Sequence, residues 1–140
     1  MSNPTMQEIM TRMTAALLVV LLSGCVAQPV STANDAVSDF VVVSELEPQD
    51  VVRFRDQFNT RPLTDHYALL QAREDHYLVQ FRRRCHELYE NMFPADIRRD
   101  RNVLRAAFDT IRGCRIEQIF SVDASQAEEL KLLAKRLEDE

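Results

Sequence analysis

The sequence predicts an α+β domain, with a small antiparallel sheet of about four to five strands and a C-terminal amphipathic helix. Two observations carry this. Tyr67 to Ala72 and Tyr77 to Phe81 are apolar runs separated by Arg73-Glu74-Asp75-His76, the pattern of a hairpin. A helical period is clear only near the end of the chain, at Leu130, Leu133, Ala134 and Leu137.

The chain opens with a segment that does not belong to the fold. Arg12 precedes an apolar run from Met13 to Leu22, about half the roughly 20 residues a helix needs to cross a bilayer. Basic, apolar, then small residues is the order of an export signal, and Met10 would open a more ordinary one than Met1. Leu22-Ser23-Gly24-Cys25 resembles the bacterial lipoprotein signal, the lipobox. The resemblance implies that Leu22, Ser23 and Gly24 are recognition residues and that Cys25 carries the lipid and becomes the new N-terminus. Acyl chains contribute about 0.8 kcal/mol per buried methylene, so several anchor a protein stably without a span. Val26 follows Cys25 and, by resemblance to enterobacterial sorting, favours the outer membrane over inner-membrane retention. With Cys25 acylated in an exported protein, Cys85 and Cys114 are expected to pair as a disulfide staple.

The expected organisation is a signal peptide at 1–24, a lipidated N-terminus and flexible tether at 25–38, and one globular domain at 39–140. The formal charge is -5, which favours solubility and argues against generic nucleic-acid binding. Arginine dominates the cations, lysine appearing only at Lys131 and Lys135. Arginine grips phosphate and carboxylate bidentately, although a GC-rich genome and solvated strand faces also account for the bias.

Val26 to Ser38 is polar and turn-prone without helical period, and reads as the tether. Phe40-Val41-Val42-Val43 is β-branched and reads as a strand ended by Glu47-Pro48. Gln49 to Asn59 fits a strand at its start and a helical face as a whole, and is read as a short helix or irregular edge. In the second hairpin strand Tyr77, Val79 and Phe81 share one face, and His76, Leu78 and Gln80 the other. Asp96 to Asn102 reads as a charged loop and Val103 to Ile111 as one strand. Arg112-Gly113 is a tight turn into a strand where Cys114, Ile116 and Gln118 alternate with Arg115, Glu117 and Ile119. Ser125 with Glu128 matches a capping box for the last helix.

Tyr77-Leu78-Val79, then Arg82-Arg83-Arg84-Cys85-His86-Glu87-Leu88, Phe108-Asp109, Cys114-Arg115-Ile116, Ile119 and Val122-Asp123 form an ordered set. It resembles a proteobacterial family of small envelope proteins of unknown function, DUF6491, over roughly Tyr67 to Asp123. The arginine- and aspartate-rich stretch from Pro94 to Asn102 departs from that pattern. The resemblance implies architecture and cysteine pairing, and no mechanism.

Chemical motifs are few. Three histidines, His66, His76 and His86, invite a metal reading. With the hairpin turn near Glu74, however, His66 and His76 fall roughly 15 Å or more apart, which leaves at most a His66–His86 pair. Cys85 and His86 are strand neighbours on opposite faces, so the imidazole is badly placed to activate the thiol. Only two glycines are present, too few for a glycine-rich phosphate loop. Asp109 and Asp123 suit turns and caps. No catalytic residue, metal or cofactor is expected. The expected function is that of a non-enzymatic structural or interaction module, anchored by lipid in the bacterial envelope and facing the periplasm. An envelope protein is the expected partner. The alternative is binding of anionic lipid or glycan through Arg82, Arg84, Arg98 and Arg99.

Overall fold

The hairpin predicted at the centre of the chain is the centre of the fold. The computed structural model describes residues 32–55, 57–89, 97–98 and 102–139. The elements are α1 (Ala33–Val43), β1 (Val51–Arg53), β2 (Asn59–Pro62), β3 (Tyr67–Ala72), β4 (Asp75–Phe81), a 3-10 helix (His86–Tyr89), β5 (Ile97–Arg98), β6 (Val103–Arg105), β7 (Thr110–Ile111), β8 (Cys114–Val122) and α2 (Ala124–Glu138). Six strands form one antiparallel sheet in the order β2-β3-β4-β8-β7-β5, and β1 pairs with β6 in a separate ribbon. The sheet exceeds the expected four to five strands because two-residue pieces, β5 and β7, extend its edge.

Every residue of β3 except Gln71 is buried, so this strand is covered on both faces. Ala68, Leu70, Val79, Phe81, Cys85 and Ile116 pack with Val52, Phe54 and Leu104 of the ribbon side. On the opposite face Leu69, Leu78, Phe120 and Val122 pack with Val37 of α1 and with Ala127, Leu130 and Ala134 of α2. The molecule is therefore layered: helices, sheet, ribbon. Tyr77, Val79 and Phe81 share a face as the alternation predicts, with Leu78 on the other.

β8 departs from the predicted alternation. Gln80 pairs with Gln118, but Phe81 pairs with Ile116, so Glu117 is the extra residue of a bulge. The bulge shifts the phase and returns Ile119 to the face of Ile116, both fully buried.

The strand expected at Phe40 to Val43 is helical. The Thr32 hydroxyl accepts from the Asp35 N–H at 3.3 Å, and the Asp35 carboxylate accepts from the Thr32 N–H at 3.0 Å, a complete capping box. Val37, Phe40 and Val41 then meet the core at helical spacing, which outweighs a modest β propensity. The exit is a Schellman motif. Glu45 holds φ 50°, its N–H bonds Val42 at 3.1 Å, and the Leu46 N–H bonds Val41 at 3.1 Å. Helix α1 and its Thr32 cap thus occupy the last part of the segment expected as a tether up to Ser38. The expected signal and the first part of the tether lie outside the described residues.

Three other boundaries differ. Within Gln49 to Asn59, Val51–Arg53 is a strand rather than a helix, paired with Val103–Arg105. In the expected charged loop, Ile97–Arg98 pairs with β7. The single strand expected over Val103 to Ile111 is broken. Ala107 takes φ 63°, and the buried Asp109 accepts from the Arg105 N–H at 2.6 Å, closing the turn between β6 and β7. Arg112 and Gly113, at φ 50° and 80°, make the two-residue turn predicted between Ile111 and Cys114.

α2 starts one cap earlier than expected. Asp123 accepts from the Gln126 N–H at 2.8 Å, and the Gln126 side chain accepts from the Asp123 N–H at 2.9 Å. Ser125 and Glu128 lie inside the helix, where Glu128 meets Lys131 at 2.6 Å.

Candidate functional site

The region richest in chemistry gathers where β4 ends and β8 begins. The Arg82 N–H bonds the Arg115 carbonyl at 3.0 Å, and the Cys85 N–H bonds the Asp65 carbonyl at 2.6 Å. These contacts carry Cys85 under the start of β8. Cys85 and Cys114 are both fully buried and joined, with S–S 2.00 Å and Cα–Cα 5.8 Å. The pairing expected from the export signal is therefore present. Glu87, in the 3-10 helix, places Oε2 3.2 Å from Cys114 Sγ, while its Oε1 accepts from Arg83 at 2.8 Å. The Arg83 hydrogen bond is the main reason the Glu87 carboxyl sits below its usual range.

Two of the four arginines expected to bind anions are engaged with acids. Arg82 Nε lies 2.7 Å from Glu117, and Arg84 Nε lies 2.9 Å from Asp65. Pairs at the surface are individually weak, about 0–1 kcal/mol, but these two offset the positive field, the second through a half-buried Asp65. Arg98 is placed in β5, far along the edge of the sheet from β4, and Arg99 lies outside the described residues. The structure therefore does not gather these four into one described patch. Leu22, Ser23, Gly24 and Cys25 also lie outside the described residues.

Asp65 ties a second region together. It accepts from Asn34 Nδ2 at 2.7 Å through one oxygen and meets Arg84 through the other. With Thr64, Tyr89 and Glu138 these residues line a cleft of about 310 Å³ between the start of α1 and the end of α2. Burial, with smaller contributions from Asp65 and Glu138, pushes the Tyr89 phenol upward.

The histidines do not assemble a metal site among the described residues. There, the group of three ligand-type side chains within 4.8 Å is Cys85, Glu87 and Cys114, whose sulfurs are committed to each other. His76 stands beside the hairpin turn opposite Gln71, whereas His66 lies beyond the other end of β3.

Sequence reasoning missed two features. Glu87 at the disulfide could be seen only once Cys85 and Cys114 were paired in space. Arg53, Arg55 and Arg73 line one small cleft with Ala72 and Asp75. A signal for the first two was present, since Arg53-Phe54-Arg55 alternates around a buried Phe54.

No curated protein and no solved structure matches the chain. A family model does match, over residues 8–138, well beyond the Tyr67 to Asp123 stretch that carried the resemblance. The chain belongs to the family of unknown function DUF6491.

Proposed function

We propose that the protein is a lipid-anchored component of a bacterial cell envelope, held at the outer membrane facing the periplasm by an acylated Cys25. Its folded part acts as a non-enzymatic structural or interaction module. The observation that carries this reading is the buried Cys85–Cys114 disulfide. Such bonds persist in oxidising compartments, and a leader ending in Leu22-Ser23-Gly24-Cys25 would deliver the chain to one. Among the described residues no helix is long and apolar enough to cross a membrane. The non-enzymatic reading rests on how the buried and cleft acids are used. Asp109 closes a turn, and Asp65 binds Asn34 and Arg84.

The test is expression in a Gram-negative host with an alkyne fatty acid. The wild-type chain is expected to take up label and sediment with outer membranes. Cys25→Ala is expected to lose both properties. An unlabelled wild-type chain, or a variant still held at the membrane, would overturn the anchor. Crosslinking and mass spectrometry in intact envelopes then tests the module reading, for which a reproducible envelope protein neighbour is expected.

A further inference from the structure

We propose that Arg53, Arg55 and Arg73 form a binding pocket for a phosphate-type oxyanion, free in solution or carried on a lipid headgroup. Two parts of the chain converge there. Arg53 ends β1, Arg55 follows it, and Arg73 begins the turn between β3 and β4. All three are exposed, while Phe54 between the first two is 4% exposed and packs inward, in edge contact with Tyr77 at 5.2 Å. An aromatic buried at this position fixes the backbone that presents the flanking guanidiniums.

The three arginines and Asp75 line a cleft of about 130 Å³, the scale of a phosphate group rather than a nucleotide. Among the described residues, Ala72 is the one apolar lining residue and no aromatic ring lines the cleft. Among the described residues, the lining carries three arginines and one carboxylate, Asp75. Among the described residues, neither Arg53 nor Arg55 is in an ion pair, in contrast to Arg82, Arg83 and Arg84. Guanidiniums brought together repel one another, and a tetrahedral oxyanion relieves that repulsion while accepting several charge-assisted hydrogen bonds.

Arg73 adds a second observation. It holds φ 54°, a left-handed conformation that glycine adopts far more easily at a hairpin turn. An arginine therefore stands where the backbone of the turn favours glycine. The pocket does not depend on the lipid anchor, and its test is separate from that of Cys25.

The full chain, in non-ionic detergent, is titrated with inorganic phosphate in one arm. The second arm uses dihexanoyl phosphatidic acid, with dihexanoyl phosphatidylcholine for comparison. Saturable, salt-sensitive binding is expected in at least one arm, and it identifies the source of the oxyanion. Arg53→Gln, Arg55→Gln and Arg73→Gly are each expected to weaken it about tenfold or more. Arg73→Gly is informative because it relieves the turn, so lost binding with unchanged or raised thermal stability cannot be a folding defect. Arg82→Gln, a surface cation outside the pocket, is expected to bind as wild type. Absence of saturation in both arms overturns the proposal, as does an equal loss in Arg82→Gln.

Discussion

A carboxylate beside a disulfide has a chemical consequence. Glu87 Oε2 lies 3.2 Å from Cys114 Sγ, and its proton is lost at a lower pH than usual because Arg83 bonds the charged form. Reduction requires a thiolate to approach one sulfur and a thiolate to leave from the other. Attack at Cys114 brings an anion towards Glu87, and attack at Cys85 leaves an anion on Cys114 beside it. Either route is opposed by the carboxylate, partly offset by Arg83. Glu87→Gln keeps the shape and an acceptor for Arg83 while removing the charge. It is expected to speed reduction by dithiothreitol at pH 8 by about five- to tenfold, with at most a small fall in the urea midpoint. An unchanged rate would show that opening of the buried site, not the local charge, controls access. The same carboxyl has a signed effect on stability. Its folded value lies below the ordinary 4.5, so its contribution is present above pH 4.5 and is lost as pH falls through the folded value. Melting temperatures of Glu87→Gln should accordingly fall less than wild type across that window.

At the scale of elements, helix α2 shows how local chemistry selects among nearby options. Asp123 and Gln126 exchange hydrogen bonds at 2.8 and 2.9 Å, while Ser125 lies inside the helix. Asp123→Ala should lower stability by about 1 kcal/mol, and Ser125→Ala should change it by less than about 0.5 kcal/mol, both read by urea denaturation. The reverse ranking would restore Ser125 as the cap. The two candidates were separated by only two positions, and both satisfy the same spacing rule, so the sequence could not rank them. The hairpin, by contrast, was legible because Tyr67 to Ala72 and Tyr77 to Phe81 are apolar runs separated by a short polar stretch. The α2 face was legible because it is a long one-sided period. Phe40 to Val43 misled because β-branching is a weak local preference, whereas the decisive contacts of Val37, Phe40 and Val41 lie on other elements. Glu117 misled differently, since a bulge leaves no mark in an alternating pattern. The cysteine pair could be inferred from the resemblance of Leu22-Ser23-Gly24-Cys25 to an export signal, which leaves Cys85 and Cys114 for each other. The arginines could not, since whether Arg82 meets Glu117, or Arg53 meets Arg73 across a cleft, depends on strand register.

For the whole molecule, the disulfide unites parts that the sheet alone would hold loosely. β4 and β8 already pair along their length, so Cys85–Cys114 adds little between those strands. It instead closes the excursion between them, a sequence separation of 29 that contains β5, β6 and β7. That excursion supplies Leu104 and Ile111 to the cluster shared with Val52 and Phe54. Among the described residues, the helix-side cluster, built on Val37, Leu69, Leu78 and Leu130, draws none from it. Removing the crosslink should therefore act unevenly. The double variant Cys85→Ala/Cys114→Ala is expected to lose about 3–4 kcal/mol by urea denaturation, from restored freedom of the unfolded loop and the lost sulfur packing. Hydrogen exchange should then show β1 and β6 opening at lower free energy than β3, β4 and α2, because the ribbon is anchored through the untethered excursion. Uniform loss of protection across both layers would mean that the clusters on either side of the sheet unfold as one unit. A preserved helix layer beneath an opened ribbon would instead show that the disulfide's main task is to hold the arginine-bearing β1 side against the sheet.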